Sequence, residues 1–317
     1  MIPFLKSVAR AYASRYSDLS DFCFLFPNKR SGTFFMKYLK EERGGRAFLS
    51  PRVLSVSDFV SEVSGKVAAS RLDLLFLLYH TYRDYLGLGE SDDAEGVDFD
   101  SFRMWGETVL ADFNEVDLYL ADADEIFKNV KDYREIASNF LTEEQKEVMA
   151  EYFGRTEYSD PNEFWKDFDA PDDELSDLRR KFLHLWRIMA PLYHGLHERL
   201  ESMDLSTTGG LYRSALSVLR EKGRDILPYR KVTAVGFNAL STAERAIFTE
   251  LRDMEPYPGE DTFADFFWDA TGPVLNGAGN SASKFVRSNI RSFPCPEWAL
   301  HILRQSDTPD MPSEIKV

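Results

Sequence analysis

The sequence predicts an α/β protein, a parallel sheet whose strand–helix alternation is interrupted by a large all-helical region. Two short apolar runs, Phe22-Cys23-Phe24-Leu25-Phe26 and Val232-Thr233-Ala234-Val235-Gly236-Phe237, read as strands buried on both faces, and helical periodicity follows each. Between them amphipathic helices succeed one another without a clear strand signal. Charge changes in the same place. Residues 90–177 hold 28 acidic and 7 basic side chains, a net of −21, whereas the rest of the chain nets +6 within a total of −15. An acidic middle inside a mildly basic frame reads as an insertion into a host domain. The expected organisation is therefore a first sheet part at 1–69, an acidic helical insertion at 70–227 and a second sheet part at 228–317.

In chain order, residues 2–16 carry a helical stripe of Phe4, Leu5, Val8, Ala9 and Tyr12. The strand 22–26 follows, then a loop at 27–32 and a helix at 33–40. Residues 52–56 read as a second strand, and Ser57 as the N-cap of a helix over 58–63. From Arg71, the spacing of Leu72, Leu75, Phe76, Leu78, Tyr79 and Tyr82 predicts a strongly amphipathic helix, and 87–96 a polar loop. Helices are expected at 99–116, 122–130, 142–153 (opened by the capping box Thr142-Glu143-Glu144-Gln145), 177–203 and 208–221, with 154–173 a polar interval. The strand signal returns at 231–237 and 262–268, each followed by a helix, at 242–251 and 281–291. Residues 314–317 read as the first half of a strand, so the chain is expected to be the N-terminal part of a longer protein.

Composition narrows the class. With 44% apolar and 14% aromatic residues, 317 residues suffice for a large packed core. Two cysteines, Cys23 and Cys295, build neither a disulfide framework nor a cysteine zinc site. No apolar stretch is long enough to span a membrane, and residues 1–16 lack the apolar core of a signal peptide, so a cytoplasmic protein is expected.

The strand–loop–helix at 22–40 has the layout of a phosphate-binding loop, in which backbone N–H groups and a Lys hold phosphates and a Ser or Thr holds Mg²⁺. Asn28, Lys29, Arg30, Ser31 and Gly32 occupy the loop. Only one glycine is present, and no Gly-Lys-Ser/Thr occurs anywhere, so the layout is kept without the chemistry. Lys29 and Arg30 read either as solvated charges or as contacts to DNA or a partner; Lys37, Lys40, Arg43, Arg46 and Arg52 extend this basic stretch. His184, His194 and His197 lack an evident third ligand partner for a metal site. Glu144-Gln145-Lys146 and Pro171-Asp172 carry the letters of a nuclease motif in reversed order and on a helix. Trp105, Trp165, Trp186, Trp268 and Trp298 read as core residues rather than base-stacking platforms.

Two stretches taken together resemble the superfamily 1 helicases. In those enzymes a helix with an L-D-F-D-D-L-type start precedes a strand ending in V-D-E-F-Q-D-T. Here Met203-Asp204-Leu205 and Gly209-Gly210-Leu211-Tyr212-Arg213 precede 229–241, and alignment on Phe237 puts Val235 and Gly236 at the two carboxylate positions. Neither can bind Mg²⁺ or activate water. The phrases Phe26-Pro27-Asn28-Lys29-Arg30, Trp105-Gly106-Glu107, Asp112-Phe113-Asn114-Glu115-Val116-Asp117 and Val235-Gly236-Phe237-Asn238-Ala239-Leu240 resemble the Bacteroidetes-type AddB subunits of AddAB/RecBCD-like ATP-dependent helicase–nucleases, over essentially the whole chain. The resemblance implies an incomplete RecA-like sheet domain with a helical insertion and no working ATPase. It also implies an AddA-like helicase–nuclease partner, and broken duplex ends and single strands as DNA in the complex. A PD-(D/E)XK nuclease domain with Mg²⁺, and an iron–sulfur cluster, would lie beyond Val317, with no cofactor expected within these residues. The function implied is a DNA-repair scaffold. The residues themselves leave open a divergent active NTPase, or a protein-interaction module without DNA contact.

Overall fold

The computed structural model describes residues 3–88, 98–127, 177–269 and 281–304, without the side chains of 177–186, 281, 282 and 304. It divides into two units. The first comprises Met1–Ala68, Asp117–Leu120 and Asp204–Val317, and the second Ala69–Val116 and Ala121–Met203.

The first unit is built on four parallel strands, β1 (Phe22–Phe26), β2 (Arg52–Ser55), β5 (Lys231–Val235) and β6 (Ala264–Phe267), in the order β2-β1-β5-β6. In the β1–β5 register Phe22 faces Lys231 and Leu25 faces Ala234; in β5–β6, Val232 faces Ala264 and Val235 faces Phe267. Both central strands are buried throughout, which is why their sequences run apolar rather than alternating. Alternation persists in which layer each residue enters. Phe22, Phe24, Phe26, Val235 and Phe267 join one core with α1 (Phe4–Arg15), α2 (Lys29–Glu42) and α11 (Glu297–Arg304). Cys23, Leu25, Val232, Ala234, Ala264 and Phe266 join the other. That second core also takes residues of α3 (Val56–Ser64), α8 (Thr208–Lys222), α9 (Thr242–Asp253) and α10 (Ser281–Ser292). Helices on both faces of a parallel sheet give the α/β class that the sequence predicts.

Three boundaries differ from expectation for local reasons. Asn28 caps α2, so the expected loop at 27–32 is two residues long and the helix opens at Lys29 rather than Thr33. Ser55, not Ser57, caps α3 by accepting from the Asp58 N–H, which moves the helix start to Val56. Strand β6 is confined to Ala264–Phe267, inside the expected 262–268. Ser241 and Glu244 close a capping box at α9, and Gly65, at φ +71°, ends α3. Helix α8, counted with the insertion on sequence, lies in the first unit. There Leu211, Tyr212, Ala215, Leu216 and Leu219 are in the sheet's second core. A two-residue ladder, β3 (Val67–Ala68) with β4 (Leu205–Ser206), completes this unit.

The second unit is helical: α4 (Arg71–Tyr85), most of α5 (Phe99–Leu118), α6 (Ala123–Ile126) and α7 (Asp177–Glu201). Small residues set its close approaches. A Cβ on Gly195 would fall 2.6 Å from Thr81 Cγ2, and one on Gly106 would fall 3.1 Å from Leu75 Cδ1. Phe113 packs edge-on to Tyr193 at 5.2 Å between centroids. The expected features at 128–130, 142–153, 154–173 and 314–317 lie outside the described residues.

Candidate functional site

Chain direction makes one place in the sheet special. From β1 the chain crosses to β2 on one side, while β5 lies on the other, so β1 and β5 flank a topological switch point. In open parallel sheets, ligands bind outside the carboxyl ends of the strands at such a point. The sequence-predicted candidates fall there: Asn28 to Gly32 follow β1, and Val235 and Gly236 end β5.

Their geometry is that of a capped helix, not a phosphate loop. Asn28 Oδ1 accepts from the Ser31 N–H at 3.0 Å and from the Ser31 hydroxyl at 3.2 Å, which ties up the side chains a cation or phosphate would need. Lys29 Nζ lies 3.1 Å from Asp58 Oδ1, at the start of α3. The Ser55 hydroxyl, followed by Lys29, holds the Asp58 carboxyl below its ordinary range. Arg30 stands 5.9 Å over the Phe34 ring one turn on. Gly32 belongs to helix packing: a Cβ there would come within 2.7 Å of Val53 Cγ1 and 3.4 Å of Phe26 Cδ2. The single glycine of this segment thus lets α2 approach the sheet, and does not shape a phosphate nest. Val235 is wholly buried. Gly236, at φ +74°, donates its N–H to the Phe267 carbonyl at 2.9 Å, with Phe4 alongside. No carboxylate stands at either position.

The basic stretch beyond this point is divided. Lys37, Lys40 and Arg46 are exposed. Arg43 instead donates to the carbonyls of Ser17 (2.8 Å) and Tyr16 (2.7 Å), fastening the end of α1. Arg52 pairs with Glu62. In the second unit, His194 Nε2 meets Asp124 Oδ1 at 2.8 Å, and His197 packs on the Tyr193 ring and bonds its carbonyl. No group of three or more His, Cys, Asp or Glu among the described residues is placed to hold a metal. Trp105, Trp268 and Trp298 pack among aromatic neighbours, and Trp268 Nε1 donates to the Phe293 carbonyl at 2.7 Å. The side chains of His184, Trp165 and Trp186, and the segments 144–146 and 171–172, lie outside the described residues. Among the described residues no helix is long and apolar enough to cross a membrane.

Sequence reasoning missed a buried polar cluster on the α1 face of the sheet. Lys231, 2% exposed, reaches Thr262 Oγ1 at 3.0 Å and the carboxylates of Asp265 and Glu260, each at 3.3 Å. Tyr12 donates to Asp265 Oδ2 at 2.8 Å, which leaves Thr233 to donate to Tyr12 at 2.7 Å. Tyr16 donates to Glu260 Oε2 at 2.8 Å, and Arg230 faces Glu260 Oε1 at 2.7 Å. Burial raises the Tyr12 and Tyr16 hydroxyls well above the ordinary phenol value. The signal was present in the period-2 spacing of Lys231 and Thr233, which puts both on the face shared by Val235. Two cations and two carboxylates close the charge balance, so the cluster joins α1 to the sheet and leaves no unmatched charge to recruit a ligand.

A smaller cluster explains part of the resemblance-bearing sequence. Asp117, wholly buried, accepts from Thr207 Oγ1 and Arg213 Nε, each at 3.0 Å. Thr207 in turn caps α8 through the Gly210 N–H at 2.8 Å. A Cβ on Gly210 would meet Ser206 Oγ at 2.4 Å, so Gly210 and Arg213 serve this junction. No protein-family model matches the chain, and no curated protein matches it at a significant level.

Proposed function

We propose that this chain is the N-terminal, ATPase-inactive, helicase-like scaffold of an AddB-type subunit in a DNA double-strand-break repair helicase–nuclease. The sheet unit is then an incomplete RecA-like domain, and the acidic helices are its insertion. Its work is to bind an AddA-like helicase–nuclease partner and to guide DNA from a broken end toward a nuclease domain. The observation that carries the reading is the chemistry at the switch point. A capped helix, a buried Val235 and a half-buried Gly236 stand where a nucleotide enzyme needs a glycine-rich loop and two carboxylates. The parallel sheet, its β1–α2–β2 crossover and the phrases quoted above support it.

Two measurements test it. A ligand that binds only the native state raises stability by RT ln(1 + [L]/Kd), so millimolar Mg-ATP is expected to leave the melting temperature unchanged, with no phosphate released. A clear rise favours an active NTPase instead. Mixed with an AddA-like subunit, the chain is expected to co-elute and to bind duplex ends with a steep salt dependence. Failure to form that complex sinks the scaffold reading even if ATP has no effect.

A further inference from the structure

Helix α4 is apolar on more sides than it buries. Close contacts set its inner side. Leu75 and Thr81 are buried, a Cβ on Gly106 of α5 would fall 3.1 Å from Leu75 Cδ1, and one on Gly195 of α7 would fall 2.6 Å from Thr81 Cγ2. These approaches fix the rotation of the helix about its axis, and hence what points outward. Outward stand Leu72, 58% exposed, and Phe76, 41% exposed, one turn apart in a row that ends on the exposed His80. The Phe99 ring, at the start of α5, stacks on Phe76 at 4.6 Å between centroids, so the apolar surface crosses the seam of the two helices. A surface helix ordinarily carries polar residues in that position. Carboxylates flank the row instead of cations. Helical spacing puts Asp73 beside Leu72 and Phe76, and Asp98 and Asp100 bracket Phe99. Asp73 accepts from the Ser70 hydroxyl at 2.7 Å and Asp98 from the Ser101 hydroxyl at 2.6 Å, bonds that leave both charges uncancelled. Asp100 is exposed. Of the nearby cations, Arg71 is held by Glu107, and Arg103 lies one turn beyond Phe99.

We propose that this face of α4 and α5 docks a basic amphipathic helix of a partner protein, with Leu or Ile on its apolar side and Lys or Arg beside it. The chemistry of the face selects that occupant. A nucleic acid would bring phosphates to three carboxylates, and its affinity comes from cations that the face supplies only at Arg103. An anionic lipid surface meets the same repulsion. An extended peptide gains affinity by adding to a sheet edge, whereas α4 and α5 spend their backbone groups internally and offer side chains alone. A helix that lays Leu at i and i+4 along Leu72 and Phe76 covers the apolar row, and its flanking cations reach the carboxylates. The inference is independent of the scaffold reading: it requires no contact with DNA.

The test uses the whole chain and a fluorescein-labelled synthetic helix of about 16 residues, with Leu repeating at i, i+4, i+7 and Lys in the rows beside it. A molecule of net charge −15 attracts any cationic peptide, so the decisive controls hold charge constant. They are a scrambled peptide of the same composition and the protein variant Leu72→Ser. The patterned peptide is expected to bind at least about tenfold more tightly than the scrambled one. Leu72→Ser is expected to weaken its binding about threefold, and L72S/F76S about tenfold. Asp100→Lys, which removes no apolar contact, is expected to weaken it about threefold and to reduce its salt dependence. Because Leu72 and Asp100 are exposed, the single variants should melt within a few degrees of the parent. If the double variant does not fold, Leu72→Ser and Asp100→Lys carry the test. Absence of binding, or binding indifferent to the peptide's pattern and to Leu72→Ser, overturns the proposal. So does self-association of the chain, or binding to phosphatidylcholine vesicles, that Leu72→Ser abolishes, since either names a different occupant.

Discussion

A lysine with 2% of its side chain exposed is tolerated only because its neighbours were assembled for it. Lys231 touches Thr262, Asp265 and Glu260, and Asp265 in turn is held by Tyr12 and Thr262. Removing Asp265 leaves the buried Lys231 with one carboxylate in place of two and takes away the acceptor of the Tyr12 hydroxyl, so Asp265→Ala is expected to cost about 3–5 kcal/mol in urea unfolding. Replacing Lys231 and Asp265 together by Met and Leu should recover most of that loss, because the desolvated charges go as well. A small effect of Asp265→Ala would mean that Glu260 alone satisfies the lysine. The same cluster sets an acid dependence. Burial alone would raise the Glu260 carboxyl, but the Tyr16 hydrogen bond and the charges of Lys231 and Arg230 outweigh it and hold the carboxyl below its ordinary value. A depressed folded value contributes stability that is complete above the unfolded carboxylate range, near pH 4.3, and is lost as pH falls through the folded value. Tyr16→Phe removes one of those stabilising bonds. Its acid-unfolding midpoint, followed by circular dichroism, should therefore move to higher pH, and an unchanged midpoint would assign the shift to the cations alone.

At the scale of an element, α2 shows how one glycine is fixed by packing. Two effects compete at Gly32. In a helix, Ala is favoured over Gly by about 1 kcal/mol. A Cβ there would lie 2.7 Å from Val53 Cγ1, on a β-branched side chain with little rotamer freedom, and overpacking of this kind costs about 1–3 kcal/mol. Gly32→Ala is thus expected to destabilise on balance, and Val53→Ala in the same chain should turn the change favourable. A neutral or stabilising single variant would show that α2 moves off the sheet at little cost. Helix α5 offers the converse, a residue held in a conformation that suits glycine better. Leu120 has φ +55° because the bonds Leu120 N–H to Asp117 O (3.0 Å) and Ala121 N–H to Val116 O (2.9 Å) close a Schellman turn. Its side chain packs against the sheet's second core, which offsets the backbone strain.

For the whole molecule, the balance of charge governs how it can meet DNA. At −15 overall, the isolated chain is expected to bind duplex weakly, and whatever affinity it has should come from the basic stretch that begins at Lys29. Lys29 is 78% exposed beside Asp58, so that pair is screened and cheap to exchange for a phosphate. Replacing Lys29 and Arg30 by Gln should weaken binding about equally across sequences. It should also flatten the salt dependence by about 0.9 log unit per lost contact, as read by fluorescence anisotropy across a salt series. Tight, salt-insensitive binding by the chain alone would contradict the proposed scaffold role.

The sequence by itself determined the α/β class and the central strands. Fully apolar runs such as Phe22–Phe26 fit a sheet covered on both faces, and the periodicity of α1 and α9 marks a single buried stripe, whereas α4 buries Leu75 and Leu78 of its expected stripe and leaves Leu72 and Phe76 exposed. It also determined that Val235 and Gly236 bring no carboxylate, since that is a matter of residue identity. Only the tertiary structure decided what Asn28 and Gly32 do. An Asn followed by Lys-Arg-Ser-Gly suits a loop and a helix start about equally, and the choice falls to packing of α2 against Val53 and Phe26. The partners of Lys231 come from residues 12, 16, 260, 262 and 265, and no local pattern brings those together. Helix α8 was misassigned for the same reason. Its apolar stripe says that one face is buried but not against what, and the strand order β2-β1-β5-β6 supplies the answer.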